Sequence, residues 1–139
     1  PDSRVSDDLG NASNRHDARE RAFHLLYETE MKGEAISDVL AALPVGPDEF
    51  ATELVVGVGE NQADLDSVIA AHARNWDVDR MPALDRAILR LATFELMHRP
   101  DVPTAVVISE AVELAKSYST DDSSRYVNGV LSAVAGAVR

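Results

Sequence analysis

Apolar residues recur at intervals of three and four along most of the chain, and no stretch sustains the every-second-residue alternation of a strand. Ala18, Ala22, Leu25, Leu26 and Met31 predict a first helix, with Arg19, Glu20, Arg21 and Glu28 on its other faces. Ser13 or Asn14 would cap it, and Lys32-Gly33 is a natural exit. Ile36, Val39, Leu40 and Leu43 predict a short helix that ends at Pro44. Val45-Gly46-Pro47 then makes a turn, with Pro47 suited to the first turn of the next helix. That helix is long, because Phe50, Leu54, Val58, Asn61, Leu65, Val68 or Ile69, and His72 keep a period near 3.6. Gly57 and Gly59 lie inside it. A helical glycine costs about 1 kcal/mol relative to alanine, so a close helix crossing, a bend or a break is expected there.

Residues 77–82 (Asp-Val-Asp-Arg-Met-Pro) are the main punctuation. They divide a lead-in of residues 1–14, expected to be disordered, and an N-terminal half of residues 15–76 from a C-terminal half of residues 77–139. A helix over residues 83–98 carries Leu84, Ala87, Ile88, Leu91 and Phe94, with Met97 or His98, on one side. Arg86, Arg90 and Arg99 decorate the others. The run Arg99-Pro100-Asp101-Val102-Pro103 stops it and starts another, whose core face holds Val106 or Val107, Ile108, Ala111, Leu114, Ala115 and Tyr118. The capping residues of 119–124 open a final helix with Val127, Val130, Leu131, Val134 and Val138 facing inward. The chain therefore reads as all-α, with six or seven helices whose short connections make neighbours antiparallel. Gly129, in the last helical pattern, suggests the close approach of another backbone, with Asn128 hydrogen-bonding across it or back to the turn.

Charge changes this picture. Twenty-four acids against thirteen lysines and arginines give a net charge of -11, which by itself disfavours a general nucleic-acid binder. The acid is concentrated: residues 35–79 hold nine acids and one base, while residues 80–139 hold seven of each. An anionic partner should avoid the middle of the chain and use the first helix and the C-terminal half. No run of apolar residues is long enough for a membrane span, and the polar start does not resemble a signal peptide. A soluble, cytoplasmic protein that does not engage a membrane is expected.

The chain offers little for catalysis. It has no cysteine, and His16, His24, His72 and His98 form no metal-binding motif. Gly57-Val58-Gly59-Glu60 lacks the preceding strand, the third glycine and the Lys-Ser/Thr of a phosphate loop. Asp121 and Asp122 are adjacent at a helix start, where carboxylates serve as caps. No enzyme and no metal or cofactor is expected.

Features suited to RNA are modest. Arg15, His16, Arg19 and Arg21 gather on the first helix, Arg86 and Arg90 stand one turn apart, and Arg125 and Tyr126 follow the serine-rich turn. Guanidinium groups suit phosphates and a tyrosine can stack on an unpaired base. From composition alone, Arg86 and Arg90 better suit ion pairs with Asp85 and other surface acids, and Tyr126 closure of the core.

These residues also carry a resemblance. Ala18-Arg19-Glu20-Arg21-Ala22-Phe23-His24-Leu25-Leu26-Tyr27-Glu28 resembles the opening helix of the NusB transcription antitermination family, and Ala87 to Leu96 its fourth helix. Val102-Pro103, Ile108 to Tyr118 and Asp122 to Leu131 resemble its C-terminal block most specifically. The resemblance implies two small stacked helical bundles and no cofactor. It implies pairing with NusE, a ribosomal small-subunit protein, and recognition of the single-stranded boxA segment of nascent ribosomal RNA within an RNA polymerase antitermination complex. By the family pattern, Arg15, His16, Arg19, Tyr27, Arg90, Asp122, Arg125 and Tyr126 would face RNA, and Glu95 would lie nearer the protein partner. Many relatives carry an unbroken arginine run before the first helix, whereas this chain has Arg15-His16-Asp17-Ala18-Arg19. Weak, salt-dependent RNA binding by the chain alone is therefore expected, with a basic partner supplying much of the phosphate attraction. The family includes monomers and homodimers. The alternatives are a NusB-like module of an RNA cytosine methyltransferase and a helical adaptor that binds protein only.

Overall fold

Helical periodicity becomes six α-helices in the computed structural model, which describes residues 2–74 and 77–139, with side chains from residue 14 onward. They are α1 (Asp2–Lys32), α2 (Ile36–Ala42), α3 (Glu49–His72), α4 (Ala83–His98), α5 (Thr104–Tyr118) and α6 (Asp121–Val138). A single 3-10 turn, Val78–Arg80, fills the punctuation before α4. No strand occurs among the described residues.

Each terminus has a local cause. Gly33 ends α1 with φ +64°, a conformation that glycine adopts without strain. The Asp48 carboxylate accepts the Ala51 amide 2.7 Å away and caps α3. Thr120 accepts the Ser123 amide at 3.0 Å and starts α6, so the capping cluster acts as its composition predicts. The start of α1 differs from expectation. Helical backbone begins at Asp2, so the stretch read as a disordered lead-in continues the helix, and neither Ser13 nor Asn14 is its cap. Once the segment from Ala18 onward is packed, extending a helix backward adds a hydrogen bond per residue without a new nucleation step.

The core is one contiguous set of side chains with α4 at its centre. This helix packs against α1, α3, α5 and α6. Its buried residues run without a break from Ala87 to Leu89 and from Leu91 to Leu96, rather than along one stripe. That is broader than the one-sided pattern expected, because α4 has helices on several faces. Gly57 permits the contact with α3. A methyl group there would sit 2.2 Å from the tip of the Phe94 ring, so the α3–α4 crossing admits only a hydrogen at this position. The helix is continuous through Gly57 and Gly59.

Two other glycine and core expectations are corrected. Gly129 is exposed, with open space where a side chain would go, so no backbone approaches it, and Asn128 beside it is exposed as well. Helix α6 turns that face to solvent. Met31, read as part of the apolar recurrence of α1, is 54% exposed, because the last turn of α1 runs past the core.

Arg139 closes the fold. Its guanidinium spends all five N–H donors: Nε on Leu96 O at 3.0 Å, Nη1 on Val102 O at 2.7 Å and Thr104 Oγ1 at 3.0 Å, and Nη2 on Glu95 O at 3.2 Å and Arg99 O at 2.9 Å. The carbonyls at the end of α4 and in the corner leading to α5 thus have a partner from the far end of α6.

Candidate nucleic-acid interface

The sequence singles out cations in the middle of α1, on α4 and at the start of α6, and the structure separates them by burial. Arg15 projects from α1 and is about two-fifths exposed, with its guanidinium 4.7 Å from the centre of the Phe50 ring and 3.9 Å from Asp101. Arg99 covers the same ring at 5.1 Å and pairs with Glu53 at 2.7 Å and Asp101 at 3.1 Å. Its hydrogen bonds hold the Asp101 carboxyl below the usual carboxylate range. The Phe50 ring is therefore shared by three guanidinium groups, Arg15 and Arg19 of α1, the latter at 5.3 Å, and Arg99 of the α4–α5 corner. Sequence reasoning placed Phe50 among core positions and missed this role; an aromatic residue in the first turn of α3 is its only signal.

One residue beyond Arg15, His16 is exposed and shares a 2.7 Å hydrogen bond with Glu110 of α5. That bond and the charge of Glu110 raise its pKa above the ordinary histidine value. One turn beyond Arg15, Arg19 is 3% exposed. It makes a bidentate pair with Glu95, Nη2 to Oε1 at 2.8 Å and Nε to Oε2 at 2.9 Å. Arg19 and Glu95, which the family pattern would give to RNA and to a protein partner, thus meet each other inside the α1–α4 contact. Burial of both groups leaves neither with a surface to present.

Along α1, His24 is exposed and its ring meets Tyr118 of α5 edge-on, with centroids 4.7 Å apart. Phe23, fully buried, supports both rings. Tyr27 lies half-buried almost one turn further along. Beyond Tyr118 the chain enters the capping turn, which α4 holds through Asp85. This buried carboxylate accepts Ser119 Oγ at 3.1 Å and Ser123 Oγ at 3.0 Å. Arg125 and Asp122 stand fully in solvent on the first turns of α6 and pair with each other. Tyr126 is half-buried beside them, and its hydroxyl is pushed above the ordinary phenol value by burial and by the charge of Asp85.

Arg90 belongs elsewhere. Its Nε and Nη2 donate to the two oxygens of Asp66 on α3 at 2.7 and 2.8 Å, and it lines a groove with Leu26, Thr29 and Glu30 of α1. Arg86, one turn earlier, pairs with Glu30 and donates to the carbonyls of Val78 and Met81. Neither arginine bridges to Asp85. The structure thus gathers Arg15 and His16 where α1 meets α3 and α5, and Asp122, Arg125 and Tyr126 at the start of α6. Arg19 lies inside the fold, and Arg90 on the α3 side.

The NusB family pattern matches residues 16–136 of this chain. The chain belongs to the NusB family. The transcription antitermination protein NusB of Saccharopolyspora erythraea is 48% identical over 128 residues, covering 88% of this chain and 86% of the relative. The corresponding protein of Kineococcus radiotolerans is 46% identical over 127 residues, covering 87% of this chain and 92% of its own. Among solved structures, T. maritima NusB matches with a TM-score of 0.79 at 34% identity, covering 88% of this chain and 90% of that one. A chain in a structure of antitermination factors NusB and NusE in complex with dsRNA matches with a TM-score of 0.77 at 29% identity, over 90% of this chain and 98% of that one. The all-α architecture is therefore the NusB helical fold. Among the described residues, no group of three or more histidines and carboxylates could hold a metal ion. No described helix is long and apolar enough to cross a membrane.

Proposed function

We propose that the chain is an RNA-binding transcription antitermination factor that pairs with the ribosomal small-subunit protein NusE. In this reading the pair holds boxA of nascent ribosomal RNA as a single strand and joins the RNA polymerase complex that suppresses premature termination. The RNA path runs over Arg15 and His16, along α1 toward Tyr27, and to Asp122, Arg125 and Tyr126. Arg19 and Glu95 act from behind it by clamping α1 to α4.

The observation that carries the reading is the pairing of three solvent-reaching groups on this path with carboxylates: Arg15 with Asp101, His16 with Glu110, and Arg125 with Asp122. A phosphate arriving here exchanges one anion for another, so little net charge is gained and the chain alone binds weakly. A basic partner adds the missing attraction, while this chain supplies rings and positioned guanidinium groups. The antitermination names of the relatives, and a similar solved structure of NusB and NusE in complex with dsRNA, support an assembly with NusE and RNA.

Fluorescence anisotropy tests it. A labelled boxA-like single strand is titrated with the chain, with NusE and with their mixture at one salt concentration, and a duplex of the same sequence competes. Tight binding by the mixture alone is the expected result. Tight binding by the lone chain, or a mixture no better than NusE, overturns the proposal. Pairing with NusE without preference for boxA points instead to a protein-only adaptor.

A further inference from the structure

The acidic middle of the sequence surrounds a groove that the RNA reading does not use. Two cavities, of about 260 and 570 Å³, open on either side of Ile36 and share Thr29, Glu34 and Gln62 in their walls. They lie side by side as one grooved surface between the end of α1, the short helix α2 and the middle of α3, with Ala87 and Arg90 of α4 at the inner end. Its apolar surface comes from Ile36, Leu40 and Val56, all partly open to solvent. Its rim carries Glu34 and Glu60, both exposed. At the inner end Glu30 gives one carboxylate oxygen to Arg86, while Oε2 is buried without a hydrogen-bond partner. Arg90, the cation in this wall, is already bound by both oxygens of Asp66.

We propose that this groove docks a cationic amphipathic helix of a protein partner. The apolar face of such a helix would cover Ile36, Leu40 and Val56, and its lysines or arginines would reach Glu34, Glu60 and the unsatisfied oxygen of Glu30. A buried carboxylate oxygen without a donor is costly, and a cationic side chain entering along the apolar wall relieves that cost. The groove lies in the part of the chain where residues 35–79 hold nine acids and one base, so it repels phosphate and attracts a basic segment. A second copy of this chain, with a net charge of -11, would meet the same repulsion. The site is on the α2–α3 side, so docking leaves Arg15, His16 and the start of α6 free.

The test is an NMR titration of the isotope-labelled full chain with a synthetic leucine–lysine amphipathic helix about five turns long. A scrambled peptide of equal composition and a poly-U strand serve as the other arms. Shift changes confined to Thr29, Ile36, Leu40, Val56 and Gln62 are expected with the amphipathic peptide alone. The Glu34→Lys/Glu60→Lys double variant, both positions being exposed, should stay folded by circular dichroism and lose about tenfold in affinity. Val56→Asp should lose binding while keeping the rim charges. Equal binding of the scrambled peptide, shifts spread over the acidic surface, shifts here with poly-U, or an unchanged affinity in the double variant would overturn the proposal. Concentration-dependent shifts at these residues without peptide would assign the groove to a second copy and overturn it too.

Discussion

Arg15 and Arg19 stand one turn apart on the same helix and both reach the Phe50 ring, yet one is open to water and the other is sealed from it. Arg19 is sealed against Glu95, with every oxygen and most of its nitrogens engaged inside the α1–α4 contact. Arg15 lies over the Phe50 ring with its charge at the surface, near an Asp101 that is itself half in water. A buried pair is expensive to form and more expensive to break by halves, whereas an exposed pair is nearly free to exchange. The comparison shows that residue type and helical spacing do not set a cation's role. What it faces does.

The largest effect should come from splitting the interior pair. Arg19→Ala or Glu95→Ala should lower the unfolding free energy by about 3–5 kcal/mol in urea denaturation, whereas Arg19→Met with Glu95→Leu should recover most of the loss. An equal loss from Arg15→Ala would erase the distinction. Next come the glycines. Gly57→Ala should cost about 1–3 kcal/mol, because its methyl must displace Phe94, while Gly129→Ala in open helix should gain up to about 1 kcal/mol. Opposite signs in thermal denaturation would mark the same boundary between packed and solvent-facing helix. At the surface, Arg15→Ala should change stability by less than about 1 kcal/mol. In the proposed complex with NusE it should flatten the salt dependence of single-strand binding by about 0.7 in log–log slope.

The smallest effect is a titration. Glu110 raises the pKa of His16, so the protonated pair stabilises the fold fully below pH 6.5, and this contribution is lost as pH rises through the raised value. An NMR titration should find His16 above the ordinary histidine range in the natural chain and back within it in Glu110→Gln. No difference between the two would remove the pair from the description of this edge.

Much of the fold was legible because helices announce themselves locally. Residues 83–98 end where apolar recurrence and Pro100 say they should, and Thr120 caps α6 as a threonine before an acidic turn suggests. Gly57 was legible as a crossing, although Phe94 as the neighbour was not. The candidate site was legible only as a set of residue types. Nothing near Arg19 in sequence reveals that Glu95, 76 residues away, will bury it. Arg90 carries the same pattern as an exposed arginine, and only the packing of α3 brings Asp66 to it. Gly129 failed in the opposite sense: a glycine in a helical pattern reads as a close contact, and this one faces water.

The five hydrogen bonds of Arg139 reach 35 to 44 residues back along the chain. They fasten the corner that carries Arg99 and Asp101, and through these the resting place of Arg15. Fraying at the end of α6 is consequently felt at the opposite end of the chain, where it frees a guanidinium from its perch on an aromatic ring. The tail of the last helix thus acts as a tether on the reach of the first.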